Sequence, residues 1–160
     1  MRSHAVLGID PGKNTGYAVY RNRELIEIGS MTDYKFYEWF REHGEQFDII
    51  ALEDSRKQKH VWSASKASGA AAVKIGRDLG KLDHQCHMIQ SLCYERDWDL
   101  RLHSPLSTGT KLSEKEFREV TGWEGPRGNQ HARDAAMVAR MHRHPEAERR
   151  EEERKKLGLR

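Results

Sequence analysis

Residues 4–20 read HAVLGIDPGKNTGYAVY, and their reading decides the fold. HAVLGID is an apolar run of strand length that closes on an acid, Asp10. Pro11, Gly12 and Gly16 punctuate the turn that follows. TGYAVY (15–20) then alternates apolar and polar positions, as a half-buried strand does, and ELIEIG (24–29) repeats the alternation. Arg21, Asn22 and Arg23 between these two runs fit a hairpin turn. The chain therefore begins as a three-stranded antiparallel meander whose first strand ends on a carboxylate.

Working outward, DIIALE (48–53) is a second buried-strand run, and it too ends on a carboxylate, Glu53. Before it, Asp33 is placed to cap a helix through about Glu42, with Phe36, Trp39 and Phe40 on one face. Residues 65–95 hold the longest helical period: Ala72, Ile75, Leu79, Leu82, Cys86, Ile89 and Cys93 step by three or four. Gly69, Gly76 and Gly80 lie in the same stretch. Each costs about 1 kcal/mol against alanine in a helix, so close packing is expected there. WDLRLH (98–103) alternates ahead of Pro105 and suits a final strand. Ser113 and Glu116 form a capping box for a short helix that ends near Gly122. NQHARDAAMVARMH (129–142) predicts an alanine-rich amphipathic helix. From Arg143 to Arg160 the charge is dense and mixed with no core pattern, which predicts a helical or frayed tail. The predicted order β-β-β-α-β-α-β-α-α is that of an α/β fold. It implies one five-stranded mixed sheet, the meander plus two further strands, with helices on both faces. Residues 1–142 form the domain and 143–160 the charged tail.

The 160 residues leave room for one domain, which at this size buries roughly 70% of its unfolded surface. Charged residues make up 33% and apolar ones 36%, so a polar surface surrounds a modest core. No apolar run of membrane-spanning length occurs, and the N-terminus carries no signal architecture. Cys86 and Cys93 alone fit a reduced, cytoplasmic chain better than a secreted scaffold. The formal net charge is +3, but segment 56–81 sets Arg56, Lys57, Lys59, Lys66, Lys74, Arg77 and Lys81 against Asp78 alone. Charge concentrated in this way reads either as a footprint for nucleic acid or as a solvated helix face.

The strand-end acids give the sequence its chemistry. If the first and fourth strands are parallel neighbours, Asp10 and Glu53 project from one sheet edge. His131 and Asp134, at i and i+3, share a helix face that could be laid across it. Carboxylates gathered at one place repel each other unless cations sit between them. Hard oxygen ligands suit Mg²⁺ or Mn²⁺, and two such ions about 4 Å apart serve phosphodiester hydrolysis.

GIDPGKNTGYAVY (8–20), IALEDS (50–55) and NQHARDAAMVA (129–139) resemble, in order, the three motifs of the RuvC-type Holliday junction resolvases of the RNase H-like superfamily. The resemblance spans most of residues 4–142. It places Asp10, Glu53 and Asp134, with His131 assisting, at the family's catalytic, metal-holding positions. His131 falls at a position where some members carry aspartate and others histidine. There it could ligate metal, shuttle a proton or hydrogen-bond Asp134. The lysine that follows the last strand in the family matches Lys111 most nearly, with Lys115 as the other candidate. The resemblance implies a crossover-junction endonuclease that uses two Mg²⁺ ions, with Mn²⁺ able to substitute. It would leave 5′-phosphate and 3′-hydroxyl ends. It also implies branched DNA as partner, a homodimer, no membrane, no small-molecule cofactor, and the cytoplasm of a bacterium or of a phage-infected host. A phage or prophage origin fits the divergent second motif.

Three other readings compete. An RNase H-like nuclease acting on flap DNA or RNA would carry the same site. A non-catalytic junction-binding protein would have no need of the intact acids. An actin-like ATPase needs a second lobe and a second phosphate loop, for which 160 residues leave no room. Among single residues, Asp54 reads as a cap or surface group, because adjacent strand residues face opposite ways and Glu53 takes the site. His84, Cys86, His87 and Cys93 match no zinc spacing, and the cysteines read as core. Trp62, among Arg56, Lys57, Lys59 and His60, either stacks on an unpaired base or packs a helix; Trp98 and Trp123 read as structural. DNA contacts are expected from Arg56, Lys57, Lys59, Trp62, Lys66 and Lys111. A helix over 65–95 of about 30 residues would run roughly 45 Å, longer than this domain is wide. Its surplus apolar length predicts a two-fold contact through Leu79, Leu82 and Ile89, provided the helix does not break at Gly80.

Overall fold

The computed structural model describes residues 3–58, 66–105 and 111–158. One sheet of five strands runs in the order β3-β2-β1-β4-β5. β1 (Ala5–Asp10) pairs antiparallel with β2 (Asn14–Arg21), and β2 pairs antiparallel with β3 (Glu24–Thr32). β4 (Ile49–Glu53) and β5 (Leu100–His103) add in parallel on the other side of β1. The β2–β3 hairpin turns through Asn22 and Arg23, both at positive φ, the backbone that matches strand twist. This is the mixed sheet expected from the sequence. β1 lies at its centre, every residue buried.

Alternation along the strands divides the core into two layers. Leu7, Ile9, Ile50 and Leu52 face α1 (Asp33–His43) and α2 (Gly69–Arg96), which bury Phe36 and Phe40, and Cys86, Ile89, Leu92 and Cys93. Val6, Ala18, Tyr20 and Ile49 face α3 (Glu114–Thr121) and α4 (Gln130–Arg140), which bury Phe117, Ala135, Ala136 and Ala139. The capping box of Ser113 and Glu116 forms as expected, with a left-handed Gly122 closing α3. The charged C-terminal stretch forms a helix, α5 (Pro145–Lys156), and Arg23 pairs with Glu146 on it. None of the described helices is long and apolar enough to cross a membrane.

Three local expectations change. Thr32, not Asp33, holds the N-cap position of α1; Asp33 is the first helical residue, where its charge suits the helix dipole. Gly69, Gly76 and Gly80 do not pack closely, since a Cβ built at any of them meets nothing within 4 Å. α2 runs unbroken through Gly80, but all four of its buried residues lie in its second half. Ile89 is fully buried in the core of the chain itself, so the apolar stripe left over ends before it.

Two glycines set the position of α4. A Cβ on Gly8 would stand 2.1 Å from the Ala135 carbonyl oxygen, and one on Gly16 would stand 2.0 Å from the His131 carbonyl oxygen. The backbone of α4 therefore rests directly on β1 and β2. That contact carries the face of α4 bearing His131 and Asp134 to the end of β1.

Candidate active site

β1 and β4 end side by side, Leu52 in register with Ile9, so their last residues, Glu53 and Asp10, leave the sheet at one edge. Asn129 caps α4 by accepting the Ala132 amide at 2.9 Å, which fixes the helix start above that edge. His131 Nδ1 then lies 2.9 Å from Asp10 Oδ2. Against an ionised carboxylate that nitrogen must carry the hydrogen. Of the three roles open to His131, the folded chain displays a hydrogen bond to Asp10 rather than to Asp134. Asp134 instead accepts from Gln130 Nε2 at 2.6 Å and pairs with the Lys111 ammonium at 3.1 Å.

The acids influence one another strongly. Burial, then the charges of Asp10 and Asp134, push the Glu53 carboxyl up to about 7, against the pull of Lys111. Burial also raises Asp10, opposed by its bond to His131. The Lys111 ammonium is held above its ordinary value although burial works against it. The bond to Asp134 and the fields of Asp10 and Glu53 outweigh the burial. Lys111 is therefore the lysine that the fold brings to the acids; Lys115 lies on α3.

Three carboxylates and an imidazole form a donor set that suits a hard divalent cation. Among the described residues, however, no three His, Cys, Asp or Glu side chains converge closely enough to enclose an ion. The Lys111 ammonium, on a side chain 71% exposed, sits against Asp134 and offsets part of the negative charge that a cation would otherwise meet. The donor types fit a metal.

The other expected residues fall as follows. Asp54 is nearly inaccessible and caps the short 3-10 turn over Ser55–Lys57, accepting from the Arg56 amide. It also grips the Arg56 guanidinium at 2.8 and 2.9 Å. It is a cap, as read, but not a surface group. Arg56 is thus engaged in that pair, while Lys57 and Lys66 are exposed. Lys59 and Trp62 lie outside the described residues. Cys86 and Cys93 are free thiols in the core. Trp98 packs edge-on against Phe40, a structural role as expected. Sequence reasoning missed that the Cys86 thiol lies beneath the strand end carrying Glu53, where Sγ donates to the Glu53 carbonyl at 3.9 Å; no periodicity signals that contact.

No protein-family model and no curated protein matches the chain. Solved structures do. The chain is similar to RuvC of Thermus thermophilus in complex with a Holliday junction substrate, with TM-score 0.59 and 17% identity over 92% of this chain and 96% of that one. A second structure of T. thermophilus RuvC aligns with TM-score 0.52 and 18% identity, over 86% and 92% of the two chains. The yeast mitochondrial Holliday junction resolvase Ydc2 aligns with TM-score 0.55 and 18% identity, over 95% and 83%. At these identities the likeness establishes the fold, which is the RuvC-type, RNase H-like one.

Proposed function

We propose that the chain is a structure-selective DNA endonuclease that resolves four-way junctions by hydrolysing a phosphodiester in each of two paired strands. The reading is carried by the gathering of Asp10, Glu53 and Asp134, with His131 and Lys111, at one sheet edge. That edge belongs to a fold shared with proteins that bind or resolve Holliday junctions. The nuclease domain takes in residues 1–142, with 143–160 as its tail.

In this mechanism Asp10, Glu53 and Asp134 would hold Mg²⁺ or Mn²⁺, with His131 assisting through Asp10. Bound there, a pair of such ions would acidify a water and stabilise charge on the leaving 3′ oxygen. His131 Nδ1 fixes the rotamer of Asp10. Lys111, once released from Asp134, offers its ammonium to the scissile phosphate. Hydrolysis leaves 5′-phosphate and 3′-hydroxyl ends. Lys57 and Lys66, with Lys59 and Trp62 of the same segment, serve the junction arms; contacts to phosphate give affinity without sequence choice.

The direct experiment compares cleavage of synthetic four-way junctions, flaps and RNA–DNA hybrids with Mg²⁺. Paired nicks in the junction, faster than cuts in the others, are expected. Preferential cutting of flaps or hybrids would move the assignment to another RNase H-like nuclease. Tight binding without any cutting would make the chain a junction-binding protein.

Paired nicks require two sites, and α2 offers the contact. Its 28 residues run about 42 Å, and its buried residues all lie in the second half. Ala72, Ile75, Leu79 and Leu82 remain half-buried beside the open Gly76 and Gly80. This stretch is where a second copy packs, related by a two-fold axis. Leu79→Glu with Leu82→Glu should give a folded monomer that nicks single strands without pairing the cuts. A wild-type chain that light scattering finds monomeric with and without junction DNA would refute the dimer.

A further inference from the structure

Ile26, Ile28 and Ser30 of the edge strand β3, with Trp123, Arg127 and Asn129 of the segment leading into α4, line an open groove of about 590 Å³. Nothing in the proposed chemistry uses it. We propose that this groove binds an unpaired nucleotide of the strand being cut, with the base against Trp123 and the isoleucines and its phosphate on Arg127. The proposal rests on the nuclease reading above and adds a subsite to it.

The groove is built rather than incidental. Arg118 donates to the Trp123 carbonyl at 3.1 Å and to the Gly125 carbonyl at 2.9 Å, and the Trp123 indole N–H donates to the Pro126 carbonyl at 2.9 Å. These bonds fix the segment and present an indole that is only partly buried. Ile26 is 45% exposed on the opposite wall. Arg127 is exposed and has neither an ion pair nor a hydrogen bond among the described residues, so its guanidinium is available to an anion. The nearest strand carboxylate, Glu27, is engaged by the Tyr17 hydroxyl at 3.0 Å. An aromatic face beside a free guanidinium over an apolar floor is the chemistry that holds single-stranded nucleic acid.

Position favours a nucleotide over a peptide. Ser30 is in register with Gly16, which is in register with Asp10, so it stands two strands or about 10 Å from the catalytic edge. Asn129 bridges the groove to the site: its amide donates to Ser30 Oγ at 2.7 Å while its carbonyl caps the helix that carries His131. At roughly 3.4 Å per nucleotide, a strand with its scissile phosphate at Asp10 and Glu53 brings a base into the groove about three nucleotides away.

The test uses the full chain and four-way junctions carrying 5-iodouracil at single positions one to four nucleotides either side of the cut, or ten away, irradiated in EDTA. A crosslink to Trp123 is expected from the near positions on one side and not from the distant one. In parallel, Arg127→Ala should lower the slope of log affinity against log salt by about 0.7, and Ile26→Asp should weaken junction binding while the protein stays folded. Crosslinking that is absent or equal at all positions, or an unchanged salt slope, overturns the groove assignment if the wild type still binds and cuts junctions. A wild type that binds no junction would overturn the nuclease reading itself, and this subsite with it.

Discussion

Replacing Glu53 with glutamine should abolish Mg²⁺-dependent junction cleavage, by about 1,000-fold or more, while leaving junction binding intact or tighter. Asp10→Asn should do the same. Each substitution would remove a ligand of the proposed metal site and also removes negative charge that repels DNA phosphates. The Glu53 variant carries a second, independent signature. Burial and its acidic neighbours raise the Glu53 carboxyl from 4.5 to about 7 in the folded chain. Between those values the folded state holds more protons than the unfolded state, so stability falls as pH rises through the window. Below about pH 4.5 both states are protonated and the penalty vanishes; above about 7 it is complete. Glu53→Gln should therefore melt at a higher temperature than wild type at pH 8, with the gap closing towards pH 4.5. Mg²⁺ should raise the melting temperature of the wild type more than that of the variant. Cleavage at the wild-type rate in both variants would refute the site, and a pH-independent melting gap would refute the electrostatic account of it.

Gly16→Ala should be the most damaging small substitution in the fold. The new methyl would stand 2.0 Å from the His131 carbonyl oxygen and 2.8 Å from the Ala132 nitrogen, both backbone atoms that no rotamer change can move. α4 would have to lift from β2, at a cost of about 1–3 kcal/mol or more. His131 and Asp134 ride on the displaced helix, so cleavage should be lost even at temperatures where the variant remains folded. Thermal melts with cleavage assays on the folded fraction check both parts. A variant as stable and as active as wild type would mean that α4 does not rest on the strand. Gly8→Ala, whose methyl would meet the Ala135 carbonyl oxygen at 2.1 Å, should behave similarly.

Both experiments turn on distances that no sequence pattern contains, yet much of the frame was legible beforehand. The apolar run into Asp10, the alternation of 15–20 and 24–29 and the run into Glu53 became β1 to β4 within a few residues at each end. The Ser113–Glu116 box and the Asn129 start of the last core helix formed as read. These signals are local: a strand or helix records in its own period which side it buries, and a cap needs partners only three residues away. The α2 stripe shows where that information stops. Ile89 and Leu82 share one apolar period, but only Ile89 packs into the core beneath the sheet, while Leu82 stays half-exposed.

The candidate site divides along the same line. Sequence alone determined which acids end which strands and that His131 and Asp134 share a turn of helix, because chain spacing fixes those relations. Only the tertiary structure decided that His131 bonds Asp10, 121 residues away, and that Lys111 takes Asp134. It also decided that crowding and burial lift Glu53 to about 7, and that Trp123, which also packs against the core, lines an open groove beside β3. Each of these depends on how closely α4 settles on β1 and β2. The glycines at 8 and 16 permit that approach, but its depth and angle come from packing of the whole core, because charge–charge energies change steeply with distance and burial, while periodicity along the chain carries neither.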